Sequence, residues 1–102
     1  AAAELGRYDN VTFELCNEPY FDGPARDSAW NRRIARAVRA VSPRSLVALN
    51  VANGSEKVDT PPENVDILNF HYASPPVALE QNASLRRPIF FDESGFRGSD
   101  PA

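Results

Sequence analysis

Apolar residues along this chain fall into four short runs, and one of the polar stretches between them carries helical spacing. The first run, Val11-Thr12-Phe13-Glu14-Leu15-Cys16, predicts a strand over residues 10–16. Its near-continuous apolar character points to burial on both faces, as in a parallel sheet. Phe21-Asp22-Gly23-Pro24 reads as a turn. Asp27 or Ser28 then caps a helix over residues 28–41. Trp30, Ile34, Val38 and Val41 recur at three-to-four spacing and form its buried stripe, with Ala37 filling a gap. Arg32, Arg33, Arg36 and Arg39 take the outer positions, and Ser42-Pro43 ends the helix.

The remaining runs predict strands over residues 46–51, 65–71 and 88–92. The connection from Asn53 to Asn64 is polar, carries Pro61-Pro62 and holds at most one helical turn. Ser74-Pro75-Pro76 opens a short helix through Leu79 to Leu85. Strands alternating with crossover segments imply an α/β unit whose four parallel strands are joined by right-handed connections. No repeat or low-complexity tract interrupts it.

Alternation along the first strand puts Glu14, Cys16 and Glu18 on one face and Val11, Phe13 and Leu15 on the other, toward the helix carrying Trp30. A carboxylate at Glu14 is costly in a dry core without a partner. The natural partner is a basic residue on another strand, and none falls inside the other three.

Composition narrows this picture modestly. A chain of 102 residues with ordinary apolar and charged content makes one compact domain and is too short for two. A net charge of −3 argues against nucleic acid and anionic membrane surfaces as partners. No apolar run approaches the roughly 20 residues of a membrane helix. Ala1-Ala2-Ala3-Glu4-Leu5 reads as the tail of a helix cut from something longer. Cys16 is the single cysteine, so no internal disulfide forms, and it reads as a small buried filler. His71 is the single histidine; a metal site of one His, one Cys and carboxylates is an unfavourable set, so neither metal nor cofactor is expected. Glycosylation-like triplets begin at Asn10, Asn53 and Asn82 and read as chance occurrences.

Two carboxylates change the picture most. Asn17-Glu18-Pro19 closes the first run, and Glu93 closes Pro88-Ile89-Phe90-Phe91-Asp92. Each glutamate sits where a buried strand runs out into a loop, the place where parallel α/β architectures put their chemistry. Paired there without a metal-ligand cluster, they point to hydrolysis of a glycosidic bond. Each motif also has a plainer explanation. Asn-Glu-Pro can be loop punctuation, Glu93 a surface carboxylate capping a turn before Gly95, and His71 a satisfied polar residue at a strand end. The two motifs together, both on strand ends, favour function. The arginines of the helix read as solvated surface, and Trp30 as core.

Phe13-Glu14-Leu15-Cys16-Asn17-Glu18-Pro19 resembles the fourth strand of retaining glycoside hydrolases with an eight-stranded (β/α) barrel, the clan that includes the cellulase-like family five. Asn69-Phe70-His71-Tyr72 resembles its sixth strand, and Phe90-Phe91-Asp92-Glu93-Ser94-Gly95-Phe96 its seventh. The resemblance covers nearly the whole chain but only strands four to seven, a partial TIM barrel of roughly half the full fold. It implies Glu18 as acid/base and Glu93 as the nucleophile of a double displacement, acting on β-linked glycans without a cofactor. It implies Asn17 as the contact to the sugar 2-hydroxyl, and His71 as a pocket residue touching sugar or nucleophile. The two carboxyl groups must then lie about 5 to 5.5 Å apart.

The chain also departs from that pattern. Family members often carry His-x-Tyr on strand six, whereas Tyr72 directly follows His71, so alternation turns its ring to the other face unless the strand end bulges. The basic and histidine residues of the early strands are absent, as is the aromatic platform of strand eight. A whole barrel takes about 250 residues. Four strands alone leave two edges unpaired, so the expectation is an incomplete sugar site, very weak or no turnover by this chain alone, and either self-association or a missing remainder of the barrel. Two rivals remain: a carbohydrate-binding or scaffold remnant that lost turnover, and a small flavodoxin-like domain with a coincidental glutamate pair.

Overall fold

The computed structural model describes residues 1–20 and 28–94. The elements run α1 (Ala2–Leu5), β1 (Thr12–Glu14), α2 (Ser28–Val41), β2 (Leu46–Asn53), β3 (Ile67–His71), α3 (Ala78–Asn82) with a 3₁₀ turn at Ala83–Leu85, and β4 (Ile89–Glu93). The turn at residues 21–24, the cap at Asp27 and the tail of the last motif at Gly95-Phe96 lie outside the described residues.

All four strands pair in parallel, in the order β1-β2-β3-β4. A sheet whose neighbours are consecutive in sequence is wound in one direction, as in a barrel. A flavodoxin-like sheet reverses its order at a switch point, so that rival is excluded. The fold is an α/β partial barrel, roughly half of a complete (β/α)₈ barrel.

The outer face of the sheet supplies the core. Val47, Leu49 and Ala52 from β2, Leu68 and Phe70 from β3, Val65, Ala35 of α2 and Ala78 of α3 form one cluster. Leu15, Val38, Leu85 and Ile89 pack at its margin. The strand valines, leucines and phenylalanine of this cluster are the residues that made the runs visible in sequence, and burying each of these contributes roughly 1.5–3 kcal/mol.

Helix α2 is rotated from the predicted stripe. Asn31, Ala35 and Ser42 are buried, whereas Val41 is 52 % exposed, Ala37 is exposed and Trp30 is only half-buried. Polar anchors set this rotation. Arg39, expected on the outer face, donates to Asp66 Oδ2 at 2.6 Å and to the Ser45 carbonyl at 2.8 Å. Asp66 Oδ2 also accepts the Val47 N–H at 2.9 Å, tying helix, β2 and the approach to β3 together. Ser42 meets the Ser45 hydroxyl at 2.6 Å in a buried contact. Gly6 lies so close that an added Cβ would come within 1.9 Å of Ser42 Oγ.

The predicted two-sided burial of the first strand also fails. β1 is short and forms one edge of the sheet, with Thr12 and Glu14 exposed. Cys16, expected as a buried filler, is half-buried. Asn82 is wholly buried, donating to the Glu56 and Ala78 carbonyls and accepting the Val58 N–H, so its triplet is structural.

Candidate active site

The inner face of the sheet places its polar residues in rows. Register aligns Asn50 with Asn69 and Phe90, then Asn53 with His71 and Glu93, across irregularities in both pairings. The loop after β1 brings Glu18 to the same rim. Its N–H donates to Asn50 Oδ1 at 3.2 Å, and its backbone takes φ 46°. A non-glycine residue in this left-handed region costs of order 1–3 kcal/mol and is found where the surroundings over-determine it.

His71 occupies the centre. It is 2 % exposed, and its Nδ1 lies 3.3 Å from Glu18 Oε1 and 3.3 Å from Glu93 Oε2. Glu18, His71 and Glu93 each place one oxygen or nitrogen within 4.8 Å of the others. The two carboxylates, 75 positions apart (93 − 18), are therefore brought together beside His71. The trio is close enough to hold an ion, and it contains no cysteine, unlike the set weighed from sequence. Each member, however, already has protein partners.

Tyr72 corrects the alternation argument. Its backbone takes φ 51°, which breaks the strand pattern and turns the ring back to the rim. Its N–H donates to the Glu93 carbonyl at 2.7 Å, and its hydroxyl donates to Glu93 Oε1. That hydrogen bond, followed by desolvation and the charges of Glu93 and Glu18, pushes the Tyr72 phenol up to about 12. Asn17 is exposed beside Glu18, and its carbonyl accepts the Cys16 thiol at 3.5 Å.

Four residues join the site that the sequence reading did not single out. Tyr20, two residues past Glu18, donates to Asn53 Oδ1 at 2.5 Å. Desolvation first, then Glu18 and Glu93, raises its phenol to about 12. Asn50 is 1 % exposed and supports the Glu18 backbone. Asn69 is fully buried and donates to Glu14 Oε2 at 2.6 Å and to Asp92 Oδ1 at 2.7 Å. Glu14 thus has a neutral amide for a partner, not the basic residue expected, and an exposed setting that lowers its desolvation cost. Asp92 Oδ1 also lies 3.2 Å from His71 Nε2. The available signal was an amide or acid interrupting an apolar strand at a barrel-interior position.

The cellulase family, glycosyl hydrolase family 5, matches over residues 1–93. The chain belongs to this family. An endoglucanase of Clostridium saccharobutylicum is 34 % identical over 91 residues, which is 86 % of this chain and 20 % of that protein. The chain thus spans about a fifth of the length of the relative it matches. No solved structure gives a significant match. The matched residues include the carboxylate pair, the histidine and the tyrosine of the rim.

Proposed function

We propose that this chain is the catalytic segment of a retaining glycoside hydrolase that cleaves β-linked O-glycosidic bonds by double displacement. The observation that carries the reading is the approach of Glu18 and Glu93 to within 4.8 Å, oxygen to oxygen, around a buried histidine. Retaining enzymes hold their two carboxyl groups about 5–5.5 Å apart, and inverting enzymes hold them wider to admit a water.

In this mechanism Glu93 attacks the anomeric carbon and forms a covalent glycosyl-enzyme. Glu18 gives its proton to the departing glycosidic oxygen and later takes one from the water that releases the sugar. Tyr72 steadies Glu93 by donating to Oε1, leaving Oε2 as the attacking oxygen. His71 lines the pocket between the two acids. Asn17 hydrogen-bonds the sugar 2-hydroxyl, a contact that strengthens toward the oxocarbenium-like transition state. Among the described residues both edge strands of the sheet lack an outer neighbour; on this reading the sugar subsites are incomplete and the 102-residue chain alone turns over little or nothing.

The test is a chimera in which residues 1–93 replace the matching segment of the Clostridium endoglucanase. The chimera should hydrolyse an activated aryl β-glycoside, and Glu18→Gln should slow it by about 10²–10⁴-fold toward substrates with poor leaving groups. Unimpaired turnover in Glu18→Gln would overturn the assignment. Robust turnover by the chain alone would overturn its predicted weakness.

A further inference from the structure

We infer that Tyr20 and Asn53 are positioning residues which, together with Asn50, clamp Glu18 in the left-handed backbone conformation that brings its carboxyl to His71; the inference rests on the acid/base reading of Glu18. Glu18 stands at φ 46°, yet Pro19 follows it directly, and a residue before proline is pushed toward extended backbone at negative φ. Unrestrained, the Asn17-Glu18-Pro19 turn would open and carry the Glu18 side chain off the rim. Two hydrogen bonds oppose this. The Glu18 N–H donates to Asn50 Oδ1 at 3.2 Å, and two residues on the Tyr20 hydroxyl donates to Asn53 Oδ1 at 2.5 Å. Both acceptors belong to β2, so the segment from Glu18 to Tyr20 is pinned at its two ends to a single strand.

The local structure of β2 fits this task. Strict alternation would turn side chains three positions apart to opposite faces. The β2–β3 register slips between Asn50 and Ala52, and that irregularity lets Asn50 and Asn53 serve the same loop. The Asn50 amide is 1 % exposed and must present Oδ1 to the Glu18 N–H, which leaves its Nδ2 buried without a hydrogen-bond partner. A buried donor left unpaired costs about 1–3 kcal/mol, a penalty that native structures accept where a group has a task to perform. Just past Asn53, the Gly54 N–H donates to the His71 carbonyl at 2.7 Å, so the outer anchor is itself tied to β3. Glu93 is held separately, through Tyr72. The clamp therefore serves proton transfer by the acid/base and not attack by the nucleophile.

The test compares two aryl β-glycosides in the endoglucanase chimera. Departure of phenol needs the Glu18 proton, whereas departure of dinitrophenol does not. Tyr20→Phe keeps the ring and removes the donor, and Asn53→Ala removes the acceptor at an exposed position. Each should lower kcat/KM for the phenyl glycoside about tenfold, a fraction of the roughly 10²–10⁴ that a general acid supplies, and for the dinitrophenyl glycoside only about twofold. The double variant should lose no more than either single one, because the two side chains share one hydrogen bond. Equal losses on both substrates, as a purely structural or sugar-contacting role would give, or no loss on either would overturn the proposal. In the 102-residue chain, hydrogen exchange at the Glu18 amide reads the clamp without turnover. That amide should exchange slowly in the wild type and about tenfold faster in Tyr20→Phe. An unprotected Glu18 amide in the wild type, or protection unchanged in Tyr20→Phe, would also overturn it. Failure of the acid/base reading shows differently, as a chimera indifferent to Glu18→Gln.

Discussion

β3 is buried along its whole length, whereas β4, its hydrogen-bonded neighbour, exposes Phe90, Phe91 and Asp92. The same contrast separates β2 from β1. Inner strands are covered on one face by helices and flanked on both sides, while among the described residues the edge strands have a strand neighbour on one side only. The candidate chemistry divides along this line. Glu18 and Glu93 hang from the two edge strands, and Asn50 and His71, which contact them, come from the two inner ones, as does Asn69, which holds the neighbouring Glu14 and Asp92. Buried amides and an imidazole fixed by packing give the precision, and the acids project from elements with room for a substrate.

The largest expected effect tests the contrast itself. Phe70→Ala, at a fully buried position, should cost about 3–5 kcal/mol, enough to unfold a domain this small, whereas Phe90→Ala, at 44 % exposure, should cost under about 1 kcal/mol. Urea unfolding measures both. Equal costs would mean that something covers the β4 edge.

Next in size is Asn69→Asp. It replaces a donor that serves Glu14 and Asp92 with a third acceptor, and should destabilise by about 3 kcal/mol at neutral pH. Asn69→Ala should cost less, because it leaves two partly exposed acids free to reach water.

The tyrosines give a smaller, pH-dependent effect. The Tyr20 and Tyr72 phenols are raised from 10.0 to about 12. A raised folded value means that the neutral phenol is favoured in the native state. Their contribution is therefore complete below pH 10 and is lost as pH climbs toward about 12. Ultraviolet titration should show two late phenols, and Tyr72→Phe should remove one and flatten the alkaline fall in stability. Loss in Tyr72→Phe of a phenol that titrates near 10.0, with both late phenols kept, would deny the hydrogen bond to Glu93.

The smallest effect lies far from the rim. Arg44 and Asp9 pair at 2.5 Å with both side chains about four-fifths exposed, so Arg44→Ala should change stability by no more than about 0.5 kcal/mol.

Strand positions and their parallel pairing were readable because buried runs of apolar residues announce themselves without knowledge of their partners. The placement of Glu18 and Glu93 on one rim followed from the same runs, since the C-terminal ends of parallel strands open on one side. Three features were hidden for a common reason: each depends on a contact between elements. The rotation of α2 comes from Arg39 reaching Asp66 and from Ser42 seated against Gly6, which apolar periodicity does not register. The partner of Glu14 is an amide two strands away. The return of Tyr72 to the rim needs one left-handed backbone residue, a choice that alternation assumes away.

The central claim is that Glu93 and Glu18 act on one anomeric carbon. It is tested most directly by exposing the chain and the endoglucanase chimera to an activated 2-fluoro-β-glycoside and mapping the adduct by peptide mass spectrometry. The account predicts a covalent sugar on Glu93, accumulating in the chimera and slower or absent in the isolated chain, and lost in Glu93→Gln. A sugar attached to any other residue, or no adduct in a chimera that still hydrolyses aryl glycosides, would contradict it.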